Sequence, residues 1–544
     1  MSLTNPPLVF STVYEPRLEL DNQREWAILK GGQTVTPNRY PATSFSNSNW
    51  SFQINPPGKS IVMDRKLVLR VPVTITLTAT NSGTQQILQP GRFAFRSHPI
   101  SSICTSMAAK INASQCQLDV SQVIHCLDRF QAPLEYTRTH GSILPAMKDS
   151  YQDYEDGFNT SNNSLGTYGD TAAENPRGSY YSTIVNGTTA ASITAELWEY
   201  VYIPPFLYSG KEAGGLTHLD TFNLDCVLSG ALPHILSMNL VDLATAGIVI
   251  TGVTVNFAQP ELLVTWITPR IDQPIPPVIT YPYFNVARYI TSPGAGTIAA
   301  GASSTVMSNV IQFGSVPLKI YTFVRRAQFD VESSLTNMLS ASDTFASIGS
   351  TQVQFNNITG ILSAANQEEL YQMSLDNGLK MSFTEFRGLT QKTSATSSVV
   401  QAIGTVGSIL CMSPSKDFGL DSTLADGVLG QFNFQISVNF TNRSKNAYPF
   451  ELVVIAVSDG TMTLSNQQSL LQIGVASSQD VLSSVEGDLS YNELETVYGS
   501  GSFFSKVGDI LKKGARFAKE HKVLSTVLSA IPYPAAQAAA QAAR

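Results

Sequence analysis

Charge is scarce in this sequence. Only 14% of its 544 residues are charged, and the formal net charge is -7. A body with so little charge, of that sign, excludes a general binder of nucleic acid, which would carry a basic surplus. Cysteine is also sparse. The five cysteines (Cys104, Cys116, Cys126, Cys226 and Cys411) are odd in number, scattered, and form no CxxC pair. That excludes a disulfide frame or zinc ribbon and leaves free, buried thiols in a reducing compartment. Long apolar runs are missing. The most apolar stretch, 231–258, is interrupted by His234, Asn239 and Asp242, so nothing reaches the ~18 residues of a membrane span. The opening MSLTNPPLVF has neither a basic n-region nor an apolar h-region, which argues against a signal peptide.

Signatures of catalysis are missing as well. No GxSxG or HExxH occurs, and the six histidines are dispersed without metal-ligand spacing. Gly58-Lys59-Ser60 ends like a phosphate loop, but Gln53 stands where its first glycine is needed. His218-Leu219-Asp220 reads as a loop turn, and Asp149, Asp153, Glu155 and Asp156 read as a solvated acidic loop. The expectation is a chain that is not an enzyme and takes no cofactor and no metal.

Ser, Thr, Asn, Gly and Pro are plentiful beside 43% hydrophobic residues, the balance of many short strands joined by polar turns. The length calls for two or more domains. Residues 1–60 read as a polar N-terminal arm. Over 61–80, Leu67, Leu69, Val71, Val73, Ile75 and Leu77 alternate with other residues, which predicts one buried strand face. Pro72 in that run predicts an edge strand or a bulge. A second strand is expected over 247–257, with Val249, Val253, Val255 and Phe257 on one face. Pro269, Pro274, Pro276 and Pro277 then mark a stiff linker over 269–283.

The second half repeats the first. Val71-Pro72-Val73-Thr74-Ile75 recurs as Val316-Pro317-Leu318-Lys319-Ile320, an offset of 245 residues. Ser102-Ile103, Asn112 and Gln122 find Ser347-Ile348, Asn357 and Gln367 at the same offset. Each Gln lies in a short helical stretch, with Asp119 and Ser363 as the expected N-caps. Val253-Thr254-Val255-Asn256-Phe257 matches Ile436-Ser437-Val438-Asn439-Phe440 at an offset of 183, so the first copy carries about 62 extra residues, housed in 131–190. The pattern predicts an all-β chain of two tandem jelly-roll sandwiches with short helices, over 61–268 and 284–490. There is no βαβ alternation.

The stretches 52–69 (FQINPPGKSIVMDRKLVL), Lys319–Arg326 (KIYTFVRR) and 354–378 (QFNNITGILSAANQEELYQMSLDNG) resemble the double jelly-roll major capsid proteins of the adenovirus-like lineage, with polinton-like viruses and virophages nearest. The resemblance covers about 50–490. It implies a homotrimer with a pseudo-hexagonal outline, made in the host cytoplasm and built into the icosahedral shell of a DNA-virus virion. Its implied partners are neighbouring capsomers, penton proteins and minor capsid proteins.

Two segments add functional expectations. The 131–190 insertion holds Tyr151, Tyr154, Tyr168, Tyr180 and Tyr181 among Ser, Gly and Asn; it reads as a contact surface or outward tower, or else as a partly disordered loop. The 491–544 tail places Phe503, Val507, Ile510, Leu511 and Phe517 at helical spacing, with Lys512, Lys513 and Arg516 between them. Residues 501–544 carry a net +5 against -12 for the rest. A basic amphipathic helix of this kind binds an internal membrane, genomic DNA or a groove on a minor capsid protein, or packs on its own domain. Before it, Val497-Tyr498-Gly499-Ser500-Gly501 is similar to sites cut by adenovirus-type maturation proteases, and equally suits a flexible hinge. The rivals to the shell reading are a carbohydrate-binding or carbohydrate-processing β-sandwich and a minor capsid or spike protein. The first of these needs aromatic platforms, yet Trp26, Trp50, Trp198 and Trp266 are scattered.

Overall fold

A computed structural model describes residues 34–58, 60–88, 92–130, 152–153, 180–206, 215–269, 275, 277–294, 296–393, 400–420, 425–465 and 468–474. Four large sheets make two halves, each of two sheets. In the first half one sheet runs Thr34–Pro41, Glu261–Thr268, Val68–Asn81, Ala190–Tyr200, Tyr180–Val185. Ile248–Phe257 also pairs with Val68–Asn81, and Val62–Met63 with Glu261–Thr268. The facing sheet runs Ser44–Phe45, Asn49–Ile54, Phe222–Leu228, Cys104–Ile111, Ser114–Leu118.

The second half repeats the plan. One sheet runs Val278–Thr291, Phe450–Ser465, Lys319–Arg326, Ile409–Met412, with Gln468–Ile473 added on Phe450–Ser465. The other runs Ser303–Met307, Leu429–Thr441, Ser347–Phe355, Ile358–Ile361, with Ile311–Ser315 also on Leu429–Thr441. The pairings are antiparallel, as expected of sandwiches rather than wound α/β sheets. The 245-residue offset joins corresponding elements, Cys104–Ile111 and Ser347–Phe355, but the 183-residue offset does not: Leu429–Thr441 pairs with Ser347–Phe355 as Phe222–Leu228 pairs with Cys104–Ile111, whereas Ile248–Phe257 lies in the other sheet, on Val68–Asn81. The matching left-handed turn residues are Asn112 (φ 51°) and Asn356 (φ 50°), one residue away from the expected Asn357.

The alternation in Val68–Asn81 is obeyed. Leu69, Val71, Val73, Ile75 and Leu77 are at most 1% exposed, and each contributes about 1.5–3 kcal/mol by leaving water. Pro72 is not on an edge, because this strand has partners on both sides. It falls between the last pair with Ile248–Phe257 (Phe257↔Val73) and the first with Glu261–Thr268 (Glu261↔Arg70). Its carbonyl accepts from Ala258 N there. A strand residue's N–H points to the same side as its C=O, so the donor that proline lacks would have met only a connection.

Other expectations are corrected by local geometry. The register of Ile248–Phe257 shifts between Ile250 and Gly252. The extra residue puts Val249 on the outer face, 56% exposed, while Ile248, Val255 and Phe257 are buried. The second helix is capped by Asn366 rather than Ser363, with Asn366 and Glu369 completing a capping box over Gln367–Asp376. Asp119 stands at the N-cap of Val120–Leu127 without a capping bond; its carboxylate is drawn to Arg288 at 2.6 Å. The polar segment read as an arm contains the strands Thr34–Pro41, Ser44–Phe45 and Asn49–Ile54. The stretch read as linker ends inside Val278–Thr291.

Candidate functional site: the seam that joins the halves

A single hydrophobic cluster runs through both halves. Phe130 of the first meets Tyr321 of the second at 4.6 Å between ring centroids. Polar groups organise the rest of the seam. Arg96 follows Phe93–Phe95 and has a fully buried side chain; its Nη1 lies 3.3 Å from Asp343 Oδ1. Arg96 Nη2 donates to Met338 O at 2.8 Å, and Nε donates to His234 O at 2.5 Å. His125 of Val120–Leu127 and His234 of Leu232–Ile235 place their Nε2 atoms 3.6 and 3.9 Å from the same Asp343 oxygen. One carboxylate of the second half thus sits among three basic side chains of the first.

The electrostatics follow from burial. His234 is pushed down to about 3 by desolvation, with Arg96 adding to the effect, so its ring is neutral and Nδ1 faces Met338 O at 3.2 Å. Burial would raise Asp343, but His125, Arg96 and His234 outweigh it and hold the carboxyl below its ordinary range. A cavity of about 50 Å3 lies here, lined by Ser102, Gln122, His125, His234, Arg325 and Asp343. It has room for roughly a few water molecules. Among the described residues, no group of three or more His, Cys, Asp or Glu could hold a metal.

Further contacts lock the halves. Arg325 pairs with Glu451 across two strands at 2.8 Å and also reaches Gln122 of the first half. Arg129 O accepts from Lys380 N at 2.9 Å. At another edge, Ser469 Oγ donates to Ile111 O at 2.6 Å and accepts from Ala113 N and Ser114 N. Thr217 Oγ1 lies 3.2 Å from the Tyr281 hydroxyl.

The insertion contributes a clamp. Gln152 N donates to Gly404 O at 3.0 Å, its side-chain amide reaches Val406 O at 3.1 Å and also Phe345 O, and Ser342 Oγ donates to its carbonyl at 2.6 Å. Gly404 permits this approach, since a Cβ there would lie 3.1 Å from Gln152 Cγ, and it would also meet Arg443 O at 2.2 Å. Gln152→Ala removes these side-chain bonds, taking this donor from Phe345 O while Val406 O keeps Phe345 N, so a loss of about 1–2 kcal/mol is expected. Faster proteolysis at the insertion than in wild type is the check. Nothing in the sequence singled out Gln152, because its partners are 190–254 residues away.

Several expected site residues lie outside the described ones: Tyr151, Tyr154 and Tyr168, Gly499, Ser500 and Gly501, and the tail residues Phe503, Val507, Ile510, Leu511, Lys512, Lys513, Arg516 and Phe517. Tyr180 and Tyr181 lie in the edge strand Tyr180–Val185. Asp153 Oδ2 accepts from Lys445 N. The aromatic platform of a carbohydrate-binding sandwich is not found among the described tryptophans. Trp50 and Trp266 are core residues, and Trp198 is flanked by Arg39 and Arg70, each 5.9 Å from its ring. The five cysteines are free and buried.

Comparison with known proteins agrees with this architecture. Residues 10–212 match the family described as Sputnik virophage major capsid protein 1st domain, and residues 286–460 match Major capsid protein V20 C-terminal domain. The chain is 40% identical to the Putative capsid protein V20 of Sputnik virophage, over 99% of this chain and 93% of that one. Its fold is similar to a chain in the cryo-EM structure of the Sputnik virophage, with TM-score 0.79, 39% identity, and coverage of 92% of this chain and 100% of that one. The mavirus major capsid protein shares the fold at TM-score 0.64 and 15% identity, over 90% of this chain and all of that one. The protein is a structural component of a virion shell and not an enzyme, and it belongs to the major capsid protein family of the Sputnik virophage.

Proposed function

We propose that the chain works as a homotrimer in which the two sandwiches of each copy supply six upright β-bodies around one axis. The observation that supports this most is the seam. Two similar sandwiches are fused by one continuous core and by buried polar bonds, so each copy behaves as one rigid double block. Three such blocks give a pseudo-hexagonal capsomer, and closed rotational symmetry is the common outcome of head-to-tail contacts. The basic tail, +5 over 501–544, then contacts an internal membrane, genomic DNA or a minor capsid protein, with Gly499-Ser500-Gly501 as a cleavage point during assembly. Penton and minor proteins meet the capsomer at its rim.

Light scattering on the purified chain tests the trimer. The expected mass is three times 58.8 kDa, with a pseudo-hexagonal outline in electron micrographs. A chain that stays monomeric on concentration would sink this reading.

A further inference from the structure

The sheet of Ser303–Met307, Ile311–Ser315, Leu429–Thr441, Ser347–Phe355 and Ile358–Ile361 holds no charged residue on any strand. Its inward side is core: Phe355, Phe434, Ile436, Val438 and Phe440 are at most 1% exposed. The outward side is amide and hydroxyl. Gln352 and Gln354 stand exposed on Ser347–Phe355, and their register partners on Leu429–Thr441 are Ser437 and Gln435. Asn439 Nδ2 bonds Thr305 Oγ1 across the next strand pair at 3.2 Å. About half of these residues face outward, where an ordinary solvated surface would carry roughly five charges. The outward faces of the first half do carry them: Lys110 and Asp225 in its smaller sheet, and Arg39, Arg70, Glu196 and Glu261 in its larger one.

Exposed apolar side chains rim the same face. Met307, Val310 and Leu429 are between 50% and 62% exposed. An uncharged centre with apolar contacts is the composition of a protein interface, because no ion has to lose its water there. At ~3.4 Å per residue and ~4.8 Å between strands, the face offers roughly 600–800 Å2, near the share one partner contributes to a standard interface.

We propose that this face docks a second copy of the chain, an inference that rests on the shell-subunit reading above. The partner's identity follows from charge. A face without net charge, bearing both donors and acceptors, meets another uncharged surface of the same protein without repulsion. A nucleic acid would require a basic face, and a glycan would require an exposed aromatic platform; this sheet's outward side offers neither.

The test uses the full chain. Gln352→Lys with Gln354→Lys puts two charges where the inference buries them, while Gln53→Lys with Gln117→Lys puts two on a face that already holds charge. With melting temperatures unchanged, the first pair is expected to raise the concentration for half-assembly at least tenfold, and the second to leave it alone. Equal assembly of both variants would overturn the inference. A second readout uses Gln354→Cys, since the five natural cysteines are buried. Its reaction with a bulky maleimide is expected to slow at least tenfold on assembly, and an equal rate in assembled and dissociated protein overturns the proposal. A wild-type chain that never assembles removes the shell-subunit reading too. One that assembles while both variants behave like it removes only the face.

Discussion

Asp343→Ala is expected to lower the melting temperature by several degrees and to split one thermal transition into two, one for each half. The reason is the fully buried Arg96 guanidinium, which pairs with the Asp343 carboxylate at 3.3 Å. Removing one partner of a buried ion pair leaves the other charged and desolvated, a loss of about 3–5 kcal/mol. The same substitution with Arg96→Met replaces both charges by apolar volume, and much of the loss should return. Differential scanning calorimetry of wild type, single and double variants decides the matter. If Asp343→Ala melts like wild type, the pair does not hold the halves together.

The pH dependence of stability is expected to have two limbs with separate owners. His234 is held at about 3 in the fold against 6.5 in the open chain, with burial as the main cause. Its contribution is complete above 6.5 and is lost as pH falls from there to about 3, because the unfolded state binds the proton and the folded state refuses it. Asp426 runs the other way. Burial lifts it to about 8 from 3.8, and the nearby Asp459, itself lifted to about 6 by burial, adds to the effect. Its contribution is complete below 3.8 and is lost as pH rises to about 8, where the folded carboxyl must ionise. Asp426→Asn should therefore stabilise the protein at pH 9 by on the order of 3 kcal/mol, allowing for partial exposure, with little change at pH 4. His234→Asn should flatten the acid limb alone. Melting curves from pH 3 to 9 separate the two: Asp459 keeps a limb that ends near 6, and a loss between about 6 and 8 that survives Asp426→Asn would refute the assignment.

The two limbs act on different contacts. Acid weakens the seam at His234, while alkali weakens the second sandwich at Asp426. Gly474, the last described residue, is tied to Asp459 through its backbone at 2.8 Å. Asp459 thus sits beside the end of Gln468–Ile473.

Much of the fold is legible in the order of residues, because strand alternation and sandwich repetition are local or periodic properties. Leu69 to Leu77 declare a buried face through a period of two, and the 245-residue offset declares that one body is used twice. The low charge content declares a surface that meets protein more than water. Patterns fail where one added residue or one distant partner decides. Val249 is turned outward by an irregularity at Thr251 that leaves no mark on hydrophobicity. Asp119, a good cap by local rules, is claimed by Arg288 because an ion pair outweighs a weak cap. His125, His234 and Asp343 look dispersed in sequence and converge only when two sandwiches close on one another. Sequence by itself determined the building block: two β-sandwiches, poor in charge and without catalytic equipment. Only the tertiary structure decided how the blocks are locked and which face is left bare, since both depend on side chains that meet across 104 to 358 residues of chain.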